Sequence, residues 1–406
     1  MDESENTRLL DWLEDREDDM VSLVEALVGA ESPSAVPQSQ RGPFQILAAE
    51  LERLSFLVWP VGDSSSPLHL YARPRERRRG APFQLLLGHM DTVWPLGTLA
   101  ARPLRRVGDR LYGPGIFDMK AGLAQLVFAL RALDAVHATP TVLPVVFVNG
   151  DEEIGSRTSR PYIRLLARSA CRAFVLEPAF GPGGKLKTAR KGVGRFTVVV
   201  RGRAAHAGSE PEEGASAILE LSHQIQKLFA LNDLAPGVTV NVGMIDGGLR
   251  PNVVAPRATA LVDVRVPDEE GARAVETAIR ALRPVEHGLS VEVHGGIGRP
   301  PMPAAPANRA LFSLASAAAA GLGLAIEEAT LVGGGSDANL TSLHTPTLDG
   351  LGPVGDGSHA EDEHVIVSRM PERAALLAAL LASPAGALSS SPNGRSARFP
   401  MTAGTA

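Results

Sequence analysis

Three short apolar runs constrain this chain most. Phe83–Leu87, Val142–Val148 and Ala173–Leu176 are dominated by apolar residues on both alternating faces and are strand-length. A strand that is apolar on both faces is buried on both, which is the habit of parallel sheets sandwiched by helices. Between the first two runs, residues 120–136 carry Leu123, Leu126, Leu130 and Leu133 at helical spacing. This βαβ rhythm predicts an α/β fold: a mixed, mainly parallel sheet with helices on both faces. Open sheets of this kind bind ligands beyond the carboxyl ends of their strands. The residues that follow these runs are therefore the first place to look for chemistry.

The remaining chain organises around that sheet. With 406 residues, two domains are expected. Leu9, Leu10, Trp12, Leu13, Val21, Leu23, Val24 and Leu27 predict one amphipathic helix over the first 30 residues, and 43–57 reads as a second helix. Around residue 194 the texture changes to half-exposed strands, with two helices near 214–230 and 269–283. The order β-α-β-β-α-β is that of an inserted ferredoxin-like α+β domain. The domain reading is thus 1–193 for the first part of a catalytic domain, 194–304 for the insertion, 305–383 for the second catalytic part, with helices at 308–321, 336–343 and 371–382, and 384–406 for a disordered tail rich in Ser, Pro, Gly and Ala.

Composition narrows the partners. Net charge is −5, and charged residues make up 21%, so nothing points to nucleic acid or a membrane. The basic run at 73–80 lacks interleaved aromatics and reads as a solvated hairpin or loop. An acidic, polar N-terminus without an apolar core predicts no secretory leader, and a cytoplasmic protein is the expectation. Cys171 is the single cysteine, which excludes an intrachain disulfide and a thiolate zinc site. Any metal must be held by histidine and carboxylates.

Five segments offer such donors. Gly88-His89-Met90-Asp91 follows the first run, where residues i and i+2 of an extended segment face the same way. Such a pair can be purely structural, or a ligand with a carboxylate that fixes its tautomer. Gly113–Gly122 delivers Asp118 just before a helix, as an N-cap or as a ligand. Asp151-Glu152-Glu153 follows the second run, as an exposed acidic turn or as a buried group; consecutive acids are costly to bury unless a cation sits among them. Glu177 ends the third run, and His359 lies in a loop, Gly355–Glu363, near a helix start. Together His89, Asp118, Glu153, Glu177 and His359 suit a two-metal site with one bridging carboxylate. Donors of this hardness suit Zn2+, with Co2+ or Mn2+ as substitutes.

In this combination the chain resembles the aminoacylase/carboxypeptidase family of co-catalytic di-zinc peptidases (clan MH), and within it the glutamate carboxypeptidases of the carboxypeptidase G type. The matching segments run in order over residues 80–365 and include His206-Ala-Gly208, Asn252-Val-Val254, Asp263-Val-Arg265 and Gly333–Asn339. The resemblance implies the zinc-peptidase fold with an inserted lid and dimerisation domain. It implies His89 and Glu177 on one zinc, Glu153 and His359 on the other, and Asp118 bridging. Asp91 would orient His89, and Glu152 would be the general base. His206 would reach the neighbouring active site of a homodimer and stabilise the oxyanion, and Asn252 would touch substrate. Arg265 reads equally as a buried structural arginine or a substrate contact.

The resemblance implies hydrolysis of an amide or peptide bond to release an amino acid such as glutamate. Lys185 and Arg299 are candidates for the substrate's carboxylate, or simple surface charges. The alternative is an N-acyl-amino-acid deacylase of the acetylornithine or succinyl-diaminopimelate kind. More remote are a tripeptide aminopeptidase and a non-catalytic dimeric relative, which would have a broken donor set.

Overall fold

The computed structural model describes residues 3–62, 66–76 and 80–384. The expected tail lies almost wholly beyond them, and so do Arg77–Arg79 of the basic run. The chain divides into two compact units. The larger comprises residues up to 189, 304–330 and 336 onward; the smaller comprises 190–303 and 331–335.

The larger unit opens with two helices, α1 (Glu3–Glu14) and α2 (Glu17–Gly29), where the apolar spacing predicts one. The break has a local cause. Glu17, Asp18 and Asp19 crowd one turn, and acids favour a helix N-terminus, where the dipole is positive. Helix α3 (Arg41–Arg53) also stops short of its predicted end. Ser55 takes a positive φ of 60°, and Phe56–Val61 continues as strand β1. It pairs antiparallel with β2 (His69–Pro74).

Strands β3 (Phe83–His89), β4 (Leu143–Asn149) and β5 (Arg172–Val175) coincide with the three apolar runs. The six-stranded sheet has the order β1-β2-β4-β3-β5 and then Thr347–Leu348. The pairings β4–β3, β3–β5 and β5 with the last strand are parallel; the β1–β2 and β2–β4 pairings are antiparallel. Helix α4 (Ala121–Ala135) is buried nearly all round, which fits its lack of a polar face. It packs in one core with α1, α2 and the C-terminal helix Arg369–Ala382, against Leu86, Val146, Val148 and Phe174 of the sheet. On the opposite face Tyr162, from α5 (Arg160–Ala167), lies 6.3 Å from the Phe147 ring. The mixed α/β class with helices on both faces is as the sequence predicts.

The smaller unit is a four-stranded antiparallel sheet with its own core. Its strands are β6 (Gly192–Arg201), β7 (Thr239–Gly247), β8 (Arg257–Val266) and β9 (Ser290–Arg299), in the order β7-β8-β6-β9. Helices α6 (Ala217–Ala230) and α7 (Glu269–Arg280) supply the crossovers. Alternation along β8 buries Ala258, Ala260, Val262, Val264 and Val266 against them. This is the split β-α-β arrangement of a ferredoxin-like domain.

Candidate metal centre

The sheet register explains why residues far apart in sequence meet. His89 at the end of β3 lies opposite Asn149 at the end of β4, and Leu87 lies opposite Val175 of β5. Asp91, Asp151–Glu153 and Glu177 therefore leave three neighbouring strands at one edge. Asp118 reaches them from the segment Gly113–Lys120. Gly115 there has φ +70°, and a Cβ on it would collide with the Thr92 side chain, so the approach requires glycine. His359 sits in the turn of a small hairpin, Gly355–Asp356 against His364–Ile366, itself with φ +63°.

Donor atoms converge. His89 Nε2 lies 3.1 Å from Asp118 Oδ1 and 3.8 Å from Glu177 Oε1. His359 Nε2 lies 3.1 Å from Glu153 Oε2 and 3.6 Å from Asp118 Oδ2. The two oxygens of Asp118 thus face two different histidines. Ligand atoms of His89, Asp118 and Glu153 all fall within 4.8 Å of one another, and so do those of His89, Glu152 and Glu177.

The donor chemistry fits a divalent cation. His89 is 1% exposed, and its Nδ1 lies 3.0 Å from the Asp91 carbonyl oxygen, a pure acceptor. Nδ1 must therefore carry a proton, which leaves the Nε2 lone pair aimed at carboxylate oxygens. Lone pair against lone pair is repulsive, so that position calls for a proton or a metal ion. The pKa shifts point the same way. Burial disfavours charge on His89, but hydrogen bonds to Asp118 and Asp91 outweigh it and hold the imidazole well above 6.5. The hydrogen bond to Glu153 pushes His359 up to about 9. Burial raises Glu153 itself. The cluster favours positive charge at its centre.

Partners behind the donors hold them in place. Asp91, fully buried, accepts the backbone N–H groups of Glu152 (3.1 Å, Oδ1) and Glu153 (3.2 Å, Oδ2) and the Ser34 hydroxyl (2.6 Å). One carboxylate thereby couples the His89 strand end to the acidic turn. Asp151 is not part of the cluster: it accepts from Thr158 N and Oγ1 and from Ser159 N at the start of α5. Ser156, with φ +53°, donates to Asp337, which also accepts from Asn149 Nδ2 at 2.7 Å. Sequence reasoning quoted Gly333–Asn339 without giving Asp337 a task, and it passed over Ser34 and Trp94 altogether. Nothing local marks such residues, because their partners lie 57 to 269 positions away.

In the smaller unit the structure brings His206 and Asn252 together. His206 bridges to Val253, and the Ala207 N–H donates to the Asn252 carbonyl at 3.1 Å. His206 Nδ1 accepts from Gly208 N (3.2 Å) and Ser209 N (3.0 Å), so a neutral ring carries its proton on Nε2, ready to donate outward. Arg265 is occupied by Asp263 at 2.7 and 3.1 Å, and Arg299 is 7% exposed. In the larger unit, Lys185 forms a surface pair with Glu327 at 2.7 Å.

Comparison with known proteins gives the family. Residues 85–383 match the model of peptidase family M20/M25/M40. The chain is 31% identical to carboxypeptidase G2 of a Pseudomonas species over 373 residues, which cover 90% of this chain and 89% of that one. It is 28% identical to the succinyl-diaminopimelate desuccinylase of Paracidovorax citrulli, over 83% and 90% of the two chains. Among solved structures, aminopeptidase PepT from Bacillus cereus superposes with a TM-score of 0.76 at 22% identity, covering 90% of this chain and 98% of that one. The chain belongs to peptidase family M20/M25/M40 and is a metal-dependent hydrolase of amide or peptide bonds.

Proposed function

We propose that this protein is a two-zinc carboxypeptidase that releases a C-terminal amino acid such as glutamate from a small peptide or N-acyl substrate. The observation that carries the reading is the Asp118 carboxylate, with one oxygen toward His89 and the other toward His359. In this reading His89 and Glu177 would hold one ion, Glu153 and His359 would hold the other, and Asp118 would serve both. When bound, the ions polarise the scissile carbonyl and lower the pKa of the attacking water.

The chain's own residues do the rest. Asp91 keeps the proton of His89 on Nδ1 and pins the backbone of the 152–153 turn. Glu152, whose carboxylate lies near the donor atoms of His89 and Glu177, would take the proton of the attacking water and pass it to the leaving amine. His206, donating from Nε2, stabilises the oxyanion, and Asn252 beside it contacts substrate. Arg299, with Lys185 and Arg265 as further candidates, grips the substrate carboxylate.

The likeness to carboxypeptidase G2 over nine tenths of both chains supports the carboxypeptidase reading. The desuccinylase similarity keeps N-acyl-amino-acid deacylation as the second reading. A homodimer formed through the smaller unit belongs to the proposal. Met244, Ile245 and Leu249 are 65–71% exposed on and after the edge strand β7, and Ile218 and Leu219 are about half exposed on α6. A cytoplasmic location fits a chain whose only cysteine is Cys171.

A panel of pteroyl-glutamate, peptidyl, N-acetyl and N-succinyl amino acids, scored by released amine with the zinc-loaded enzyme, tests the substrate. Preference for C-terminal glutamate is expected; preference for acetylornithine or succinyl-diaminopimelate would transfer the function to the deacylase reading. Light scattering of the eluting peak tests the dimer, and a monomer at working concentration would remove it.

A further inference from the structure

Glu363 lies outside the five donors, yet it is 2% exposed and its carboxylate gathers four N–H groups. Its Oε1 accepts from the backbone N–H groups of Phe117 (2.9 Å) and Asp118 (3.1 Å). Its Oε2 accepts from the backbone N–H of Gly115 (2.8 Å) and from Trp94 Nε1 (2.8 Å). The Glu363 carbonyl also accepts from Gly113 N at 3.2 Å. Three chain segments therefore meet on this residue. One carries His89 and Asp91 and continues to Trp94, one carries Asp118, and one carries His359 four positions before Glu363.

We propose that Glu363 is a positioning residue for the metal centre, clamping the Gly113–Asp118 loop so that Asp118 faces both histidines at once. The proposal rests on the reading of Asp118, His89 and His359 as ligands. The chemistry of the contacts selects the residue type. All four partners of the side chain are donors, and a carboxylate is the acceptor-only group of that size. Glutamine would turn an amide nitrogen toward two N–H groups, and aspartate is one methylene too short to reach the loop. The hydrogen bonds of the Glu363 side chain go to Trp94 and to backbone N–H groups of the loop, so they act on Asp118 through its backbone. Residues that orient ligands in this manner change metal affinity about 10–100-fold when replaced.

The test uses the full chain stripped of metal and titrated with Co2+, read by its visible d–d absorption, with circular dichroism and thermal melting to confirm folding. Glu363→Gln is expected to bind Co2+ about 10–100-fold more weakly with an altered visible band, and to lose kcat while KM stays within about twofold. Trp94→Phe, at a half-buried position, removes one donor and is expected to weaken binding several-fold in the same direction. A folded Glu363→Gln protein with wild-type Co2+ affinity and spectrum would overturn the proposal, even if its melting temperature fell. If that variant does not fold, an unchanged Co2+ affinity in Trp94→Phe overturns it instead. Asp118→Asn run in parallel separates the two readings: if it binds Co2+ like wild type, the ligand assignment itself has failed, whatever Glu363 does.

Discussion

The polar residues around His89 and those around His206 are held in opposite ways. In the larger unit two carboxylates are braced from behind: Asp91, the partner of His89, by Ser34 and the 152–153 amides, and Asp118 by the loop that Glu363 gathers. Ser34, Asp91 and Glu363 are buried, so water competes little for their hydrogen bonds. In the smaller unit His206 and Asn252 are exposed, and among the described residues the His206 ring accepts only from two backbone N–H groups of its own turn. The first arrangement suits a site that must hold a cation at fixed distances. The second suits groups that meet a substrate and let it go.

The two groups of residues should therefore fail differently. Asp118→Ala and Glu153→Ala should abolish both metal retention and turnover, measured as metal per chain beside kcat. Glu152→Ala should retain its metal and lose turnover on the order of 10²–10⁴-fold. High activity in that variant would end its role as base and blur the division between adjacent acids. Next in size, His206→Ala should keep full metal content and drop kcat about 10²–10³-fold; an unchanged kcat would make the smaller unit a bystander to the chemistry.

The smallest effect tests the smaller unit's own interior. Glu220 is buried there and accepts from Val285 N (2.9 Å, Oε2), Glu286 N (2.8 Å) and the Gln224 side chain. Burial alone would raise its pKa, but these hydrogen bonds together hold it below 4.5. Glu220→Gln should cost about 1–3 kcal/mol at neutral pH without touching metal content. The sign follows from the lowered value. The stability that Glu220 lends is present in full above its unfolded pKa and is lost as pH falls through the folded one. The melting temperatures of wild type and variant should therefore converge on acidification, and a constant gap would refute the charge as the cause.

How much of this was legible beforehand depends on distance along the chain. Strands β3, β4 and β5 and helices α4, α6 and α7 follow from periodicity, because burial imposes a local pattern. Strands β1 and β2 escaped it. Phe56 and Leu57 extend the apolar spacing of α3, and the stop between α3 and β1 is a left-handed Ser55 where a glycine would have been a signal. The five proposed donors could be nominated because each follows a strand or a glycine-rich turn. Their braces were not: Ser34, Asp337, Trp94 and Glu363 act on partners remote in sequence, and only the fold brings them together.

The parallel register that brings His89, the acidic turn and Glu177 to one edge also sets a schedule. Glu153 and His359 are 206 residues apart, and the whole smaller unit is spelled out between them. During synthesis the ribosome must deliver almost the entire chain before the last donor exists. A metal ion cannot template this fold as it templates a zinc finger, whose ligands arrive within a few turns of one another. Contacts of such long sequence separation form late. On the proposed donor set, the metal centre would be completed late in folding, and the cation would enter a socket that the sheet has already built.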